Sequence, residues 1–481
     1  MDSNELDILF KSDKTNWYTT NINGSKIWNK EKLNLFWAMI KIHKILKNDL
    51  EFNGFIFPSF YKNPLFLNTD AIYFFEVFGA AGIDIQKKIR FINCTFLGDF
   101  LFNNFKHTTP TTLNRNINLN NDLSFINCNF LDKFRLVSVN ISERLAIHEC
   151  TFENEFLLME SKILNQLSIY KCDFNKKTTF WRNQIKRTNF SGNNFNALSQ
   201  LSNSTYTDSF SLDSCTFNNK TEFNNNNYNK AFSIHSTKFN RTVIFQAEKF
   251  QNGSFKDINF SKEHSYIKDI SLTANSFLSL RNNYFPSNFS FIKSNCTNIL
   301  FMESTVEHVK FDSCTWNITN RLLIKDETDL ENLSISNYLK LEQIYRQLKK
   351  NFDGQKDWEL SGYAYISEME MRKKRLFLEK KWFSFFIYWF YGFFGGYTQD
   401  FLRPIKSLFL LIFISTIAYF FIDYNLINAL ERGANGSIPY IEIREDEPYP
   451  GYWLLLKNIQ LILGGIFISF FILGLRKRFK Q

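Results

Sequence analysis

Large apolar residues recur along the middle of this chain with a period of 22 residues, and this regularity restricts the folds available to it. Six of the seven cysteines mark the phase, because each stands two positions before an aromatic residue. They are Cys94, Cys128, Cys150, Cys172, Cys215 and Cys314. Phe130, Phe152 and Phe174 follow one another at intervals of 22 residues. A fixed period of this length indicates a chain built from one repeated structural unit.

Each period contains further apolar residues at steps that alternate between five and six. Ile147 precedes Phe152 by five residues, and Leu158 and Ile163 follow it by six and eleven. A helix repeats apolar positions every three or four residues and a half-buried strand every two, so neither forms this pattern alone. Four short extended segments joined by turns do, which predicts a four-sided β-solenoid with large side chains inward. The predicted inward anchors are Phe96, Phe130, Phe152, Phe174, Phe195, Phe217, Phe239, Phe260 and Trp316.

The repeat resembles the pentapeptide-repeat family, in which a large apolar residue occupies the centre of each group of five and a small residue stands two positions earlier. The cysteines occupy this small position. The resemblance implies a mainly β fold, a right-handed quadrilateral β-helix over residues 91–320. Residues 1–90 would then form an N-terminal cap, which a solenoid needs in order to cover its strand edges.

The composition and motifs limit the catalytic and ligand-binding chemistry that can be expected of this chain. Phenylalanine accounts for 56 of the 481 residues, which fits an interior filled by repeated aromatic side chains. The cysteines show neither a Cys-x-x-Cys pair nor a zinc-type spacing with histidine, so we interpret them as small buried residues. The sequence contains no recognised nucleophile, metalloprotease or nucleotide-binding motif. We therefore expect no enzymatic activity, no catalytic residues, no metal site and no cofactor.

The charge of the repeat region argues against nucleic acid as a partner. The chain carries a formal net charge of +10, but residues 91–316 hold 23 basic and 19 acidic residues. Some pentapeptide-repeat proteins mimic duplex DNA, and such a mimic requires a strongly negative surface. A basic stripe interleaved with aromatic residues is also missing from the repeat. The sequence thus excludes DNA mimicry and does not indicate nucleic-acid binding.

Helical spacing replaces the repeat after Trp316 and predicts a helical hairpin stalk over residues 335–381. Six basic residues stand near its end, with Glu379 as the one acid among them. They are Arg372, Lys373, Lys374, Arg375, Lys380 and Lys381. Such a cluster before an aromatic run is typical of a surface that binds anionic lipid, at about 1 kcal/mol per charge. We expect the anionic inner leaflet of a membrane to be a partner.

Three apolar segments follow the stalk. Residues 382–397 are short and rich in tryptophan and tyrosine, which predicts an interfacial helix. Residues 405–422 and 451–475 are long and apolar enough to be transmembrane helices. The loop 423–450 carries six acids against two arginines. Basic residues stand at the N-terminal end of the first segment and at the C-terminal end of the second. The positive-inside rule then predicts an extracytoplasmic loop and two cytoplasmic termini.

The C-terminal part resembles the membrane-anchored pentapeptide-repeat proteins of bacteria, whose two-span module is related to potassium channels. The resemblance rests on Tyr-Arg-Gln-Leu-Lys-Lys at 345–350, Gly-Tyr-Ala-Tyr at 362–365 and Glu-Met-Glu-Met-Arg-Lys at 368–373, followed by two apolar segments. It implies the bacterial inner membrane. Conducting channels hold ions with a filter of backbone carbonyls between the two spans. Only Gly451-Tyr452 matches such a filter, and two prolines and several charges precede it.

Two functions fit these features. The missing filter favours a membrane-anchored, non-enzymatic scaffold or sensor that presents its cytoplasmic β-helix to an unidentified protein partner. The alternative is a channel-like oligomeric pore for ion transport, gated by the same β-helix. The sequence leaves open whether the protein is a homo-oligomer.

Overall fold

The computed structural model of the chain describes residues 17–24, 26–40, 42, 44, 50–58, 84–103, 117–329, 334–438 and 451–479. Two compact units divide the chain, Met1–Thr315 and Trp316–Gln481. The first contains a β-solenoid of about nine turns, and the second is helical and includes two long apolar helices. This confirms the predicted β-solenoid followed by C-terminal helices.

The solenoid has three faces of parallel strands, which we call short, middle and long. The short face consists of Ile56–Phe57, Thr95–Phe96, Asn129–Phe130, Thr151–Phe152, Asp173–Phe174, Asn194–Phe195, Thr216–Phe217, Lys238–Phe239 and Asn259–Phe260. The middle face consists of Phe100–Asn103, Phe134–Val137, Phe156–Met159, Thr178–Trp181, Ser199–Ser202, Thr221–Asn224, Val243–Gln246, Ser265–Lys268, Phe289–Ile292 and Lys310–Asp312. The long face consists of Glu51–Asn53, Asp84–Ile85, Ile89–Ile92, Ile117–Leu119, Leu123–Ile126, Val139–Ile141, Arg144–His148, Lys162–Tyr170, Gln184–Ser191, Thr205–Asp213, Asn227–His235, Lys249–Lys256, Ser271–Ser279 and Ile299–Leu300.

The long face explains why the structure has three faces where four sides were predicted. The strand Lys162–Tyr170 contains a register shift after Ile163, so two of the predicted sides form one bent strand. The inward positions still follow the predicted steps, because Phe152, Leu158 and Ile169 are buried together with Ile163. The alternation of five and six therefore reports which residues point inward, independently of where the strands are interrupted.

Left-handed backbone at two corners turns each coil. One corner lies three residues before the short-face phenylalanine, where Glu149 has a φ of 54° and Lys171 a φ of 50°. Gly192 takes the same place in the next coil, with a φ of 65°. Glu160, with a φ of 49°, represents the second corner. This conformation costs an L residue about 1–2 kcal/mol, which the parallel hydrogen bonding between coils must offset.

The solenoid begins before residue 91, where the sequence placed its first coil. The strands Glu51–Asn53 and Ile56–Phe57 pair in parallel with the coil that follows them. Phe52 and Phe57 show the same five-residue spacing as later coils, but 39 residues separate Phe57 from Phe96 instead of 22. The interrupted period concealed this coil within the predicted cap.

Aromatic side chains cover the first coil. The elements here are the strands Tyr18–Thr20 and Lys26–Trp28 and the helix α1 (Lys30–Ile40). The rings of Phe36 and Trp37 lie 5.8 and 6.4 Å from the ring of Phe57, and all three are fully buried. Residues 1–16 and 59–83 of the predicted cap lie outside the described residues.

The second unit opens with the antiparallel strands Asn317–Ile318 and Leu322–Leu323. Its helices are α2 (Lys325–Asp329), α3 (Ile335–Gly354), α4 (Trp358–Leu378), α5 (Trp382–Gly395), α6 (Leu402–Asp423), α7 (Leu426–Ser437) and α8 (Gly451–Phe479), with a 3-10 turn at Gly396–Thr398. The helices α3 and α4 occupy the region of the predicted stalk. Ser334 and Asp357 cap them, each accepting a hydrogen bond from a backbone N–H of the first turn.

Candidate functional site

Eight of the nine predicted anchors lie inside the solenoid, one ring per coil on the short face. They are Phe96, Phe130, Phe152, Phe174, Phe195, Phe217, Phe239 and Phe260. From Phe96 to Phe239 the rings stack nearly parallel, with centroids 4.5–5.0 Å apart, close to the strand spacing of about 4.8 Å. Trp316 differs from the prediction. It belongs to the second unit, is partly exposed and packs edge-on against Phe352, because the solenoid ends at Thr315.

Six of the seven cysteines are buried, and four of these thiols donate to a backbone carbonyl oxygen of the neighbouring coil. Cys128 Sγ lies 3.4 Å from the Phe91 oxygen, and Cys172 Sγ lies 3.4 Å from the Ile147 oxygen. Burial raises the pKa of the Cys215 thiol to about 11. Since the thiolate is the form that attacks electrophiles and binds metals, the Cys215 thiol is chemically quiet.

We expect native protein to react with about one equivalent of a maleimide, because Cys314 alone among the seven cysteines is not fully buried and burial suppresses thiol reactivity. Unfolding in guanidinium chloride should expose all seven. Mass spectrometry of the labelled chain measures both numbers. Cys314→Ser is the matched control and should remove the native label. Labelling of three or more thiols in the native protein would contradict their buried placement.

A second row of polar side chains runs through the interior where the middle face meets the long face. Asn183 Oδ1 accepts a hydrogen bond from the Ser161 N–H, and Asn226 Oδ1 accepts one from the Ser204 N–H, both at 3.0 Å. Glu248 occupies the next position, fully buried, and its Oε1 accepts from Asn226 Nδ2 at 3.2 Å. Burial raises the pKa of Glu248 well above its usual value, which favours the neutral carboxyl.

We expect Glu248→Gln to stabilise the protein above pH 5 and to weaken the dependence of its stability on pH. The carboxyl titrates near 4.5 when exposed and at higher pH when folded. Between these values folding takes up a proton, so the free energy of unfolding falls as the pH rises. Denaturant unfolding should show a gain of about 1–3 kcal/mol at pH 8 and little change near pH 4.5. Glu222→Gln, at a partly exposed acid of the middle face, should not stabilise, and an equal gain there would contradict the assignment.

An exposed row of asparagine amides runs beside the short face. Asn240 Nδ2 donates to Asn218 Oδ1 at 2.7 Å. The same bond, at 2.8 Å, connects Asn218 to Asn196 and Asn196 to Asn175. Asn175 donates to the Glu153 carboxylate at 2.8 Å. The solenoid surface thus carries a straight polar edge that repeats once per coil.

The predicted lipid-binding cluster is largely neutralised inside the second unit. Arg372 and Arg375 both contact Glu342, a 2% exposed acid of α3, at 2.8 and 3.1 Å. Arg346 pairs with the same carboxylate and with Glu368, each at 2.8 Å. These pairs hold α3 against α4. The two arginines of the cluster therefore stabilise the hairpin.

Three of the four lysines of the cluster are paired with acids. Lys373 pairs with an acid one turn earlier in α4 at 2.7 Å, and Lys374 pairs with Glu327 in α2 at 3.4 Å. Lys381 pairs with Glu379 at 2.8 Å, and Lys380 is largely exposed. The sequence predicted six charges facing a membrane, and the structure pairs five of them with acids. Glu327 and Glu342 lie too far away in the sequence for the local pattern to include them.

Two helices are long and apolar enough to cross a membrane, Leu402–Phe421 within α6 and Leu454–Arg476 within α8. They coincide with the predicted segments 405–422 and 451–475. Large apolar side chains cover their outer surfaces, since Phe409, Phe421 and Leu455 are 67, 70 and 65% exposed. The helix α5 takes the place of the predicted interfacial segment 382–397.

The helix α7 packs against both apolar helices. A Cβ on Gly433 would lie 2.5 Å from Oγ1 of Thr416, near the middle of α6. A Cβ on Gly464, in the middle of α8, would overlap the carbonyl oxygen of Ser437 at the end of α7. The end of this short helix therefore lies halfway along the second apolar helix.

Polar side chains connect the two apolar helices at a similar level. The Tyr419 hydroxyl donates to Oε1 of Gln460 at 2.8 Å, and both side chains are fully buried. Gly436 of α7 leaves the space for this amide, because a Cβ there would lie 2.6 Å from the same oxygen. Three helices thus meet around one buried hydrogen bond.

Within the predicted extracytoplasmic loop 423–450, residues 426–437 are helical and pack against both apolar helices. Residues 439–450 lie outside the described residues. The sequence contained one sign of the packed helix. Ala429, Gly433 and Gly436 recur at steps of four and three, and a stripe of small residues at helical spacing is typical of close helix packing.

The candidate functional features in the described residues are the outer surfaces of the solenoid and the helices of the second unit. In the part of the chain that the structure describes, no three histidine, cysteine, aspartate or glutamate side chains are grouped so that they could hold a metal ion. What remains are the regular rows of the solenoid, the exposed apolar helices and the packed α7. No family model, curated protein or solved structure matches the chain.

Proposed function

We propose that this protein is a membrane-anchored, non-enzymatic scaffold or sensor of the bacterial cytoplasm, whose solenoid binds a protein partner. The filled interior of the solenoid carries this proposal, because it confines recognition to the outer surface. That surface repeats each side chain row at about 4.8 Å per coil, which suits an extended contact with another protein. The apolar outer surfaces of α6 and α8 supply the anchor.

Photo-crosslinking in living cells tests the scaffold. A photoreactive amino acid at Asn196, in the exposed amide row, should give a discrete adduct of higher mass when the full chain sits in its native membrane. The same probe at Thr179 on the middle face and at Ser211 on the long face samples the other two surfaces. Three positions without any adduct would contradict a scaffold role for the solenoid.

We further propose a two-span topology in the inner membrane with both termini in the cytoplasm. The basic residues before the first span and after the second support it. Cysteines introduced as Glu445→Cys and Gln481→Cys, in a Cys314→Ser background, test it. An impermeant maleimide should label position 445 alone in intact spheroplasts. Labelling of position 481 alone would reverse the orientation.

A channel-like oligomeric pore gated by the solenoid is the second candidate function, and α7 is the observation that favours it. Its last residue, Ser437, meets the middle of α8 at Gly464. The carbonyl end of α7 carries the negative end of the helix dipole to the centre of the apolar layer. Membrane proteins use short helices of this kind to stabilise ions at mid-membrane.

Recording from purified full-length protein in planar bilayers separates the two functions. Unitary currents that disappear when Gly464→Val disturbs the end of α7 would establish a pore and displace the simple anchor. Silence at both signs of voltage, with the protein shown to be inserted, would reject the channel and leave the scaffold. The exposed substitution Ile462→Ala on α8 is the matched control and should leave any current unchanged.

A further inference from the structure

A cavity of about 880 Å³ lies within the second unit beside the ends of the two apolar helices. Its wall includes Leu402, where α6 begins, and Gly474, near the end of α8. A Cβ on Gly474 would lie 3.2 Å from that of Phe401, so the two helix ends meet here. Given the proposed membrane anchoring, on which this inference rests, the cavity lies at the depth of lipid headgroups.

The wall of the cavity carries charges of both signs. It contains three carboxylates, those of Glu359, Glu370 and Asp400, and two guanidinium groups, those of Arg321 and Arg403. Arg403 Nε lies 3.1 Å from Asp400 Oδ2, and both side chains are 45% exposed. Arg321 is already paired with Glu327 at 2.6 Å and Glu370 with Lys373 at 2.7 Å, so Glu359, Asp400 and Arg403 are the charged groups that face a ligand. The wall suits a ligand that carries both charges.

Aromatic side chains stand beside two of the carboxylates. The Tyr363 hydroxyl donates to Glu359 Oε1 at 3.3 Å, and the Tyr397 hydroxyl donates to Glu370 Oε1 at 2.9 Å. Trp358, which is 37% exposed, also lines the cavity. Aromatic faces next to carboxylates are the surroundings that an ammonium group prefers in proteins. A guanidinium at the opposite end of the ligand would face phosphate.

We infer that this cavity binds a zwitterionic phosphoryl-ammonium group, the headgroup of phosphatidylethanolamine. The ammonium lies toward Glu359, and the phosphate lies toward Arg403. The volume is within the range of small-molecule sites, about 300–1,000 Å³. The internal pairing of most of the basic cluster adds to this preference, because it removes the charge that would attract an anionic lipid. The site thus recognises the lipid by its headgroup chemistry.

Calorimetric titration of the full chain in a non-ionic detergent tests the site. The probes are dihexanoyl-phosphatidylethanolamine, dihexanoyl-phosphatidylglycerol and free phosphoethanolamine. We expect the ethanolamine lipid to bind about tenfold more tightly than the glycerol lipid. Equal affinity for free phosphoethanolamine would support the same site and assign it to a soluble ligand.

Single substitutions place the binding in the cavity. Glu359→Gln and Arg403→Gln should each weaken the ethanolamine lipid about tenfold, and unchanged thermal unfolding shows that they fold. Glu379→Gln, at an acid of the same stalk outside the cavity wall, should have no effect. Equal binding by all three variants, or preference for the glycerol lipid, would overturn the inference. Flotation with liposomes shows separately whether the chain inserts, so a failed anchor is distinguishable from a failed site.

Discussion

Replacing Phe152 with alanine should lower the free energy of unfolding by about 3–5 kcal/mol. The ring is 1% exposed and stacks on Phe130 at 4.7 Å and on Phe174 at 4.9 Å. Parallel strands on both sides fix the backbone of the coil, so the neighbours cannot collapse into the space left behind. Guanidinium unfolding of the full chain in detergent, followed by the circular dichroism of β-structure, measures the loss.

Leu164→Ala is the matched control, because this side chain belongs to the same coil and is 54% exposed. It should cost less than about 0.5 kcal/mol. Coils contact only their neighbours, so hydrogen exchange in the Phe152 variant should increase from Phe130 to Phe174 and remain unchanged near Phe239. A loss for Phe152→Ala below about 1 kcal/mol would show that the ring does not fill the core.

Gly464→Val should lower the melting temperature of the full chain by about 5–10 °C. The Cβ itself overlaps the Ser437 carbonyl oxygen, which belongs to the backbone and cannot rotate away. The end of α7 must therefore move, and the packing of α7 on α8 is lost with it. Thermal unfolding in detergent, followed by tryptophan fluorescence, measures the shift.

A graded comparison identifies the cause of that loss. Gly464→Ala should be almost as harmful as Gly464→Val, because the first carbon of the side chain already makes the overlap. Ile462→Ala, at a 63% exposed position two residues earlier, should shift the melting temperature by less than about 2 °C. Tolerance of alanine at Gly464 would mean that α7 does not pack there.

The sequence predicts the solenoid interior well because inward positions are determined locally. Each coil must return a large side chain to the same place, so the steps around Phe152 are visible without knowledge of any neighbour. The apolar spans within α6 and α8 are predictable for a similar reason, since a sufficiently long apolar run indicates a membrane span on its own. The coil at Phe52 and Phe57 is not predicted, because the next coil does not follow after 22 residues and the sequence therefore shows no period there.

Contacts between distant segments account for what the sequence could not show. In the sequence, Arg372 and Arg375 belong to a run of basic residues. In the structure they pair with Glu342 of α3, which lies some thirty residues earlier in the chain. The helix α7 carries charged residues that favour a loop, and its contacts with Thr416 and Gly464 show that one of its faces packs against α6 and α8. Local patterns identify elements, and pairing between elements decides their chemistry.

The stacked rings show that the solenoid rises by a fixed distance per coil. Phe96 and Phe130 are 34 residues apart, yet their rings stack at 4.5 Å like those separated by 22. Extra residues therefore change the length of the chain without changing the position of the next coil. Duplication of one whole repeat would instead advance the far end by about 4.8 Å and reproduce every outer row. The reach of this surface can thus be altered in fixed steps while its recognition chemistry stays the same.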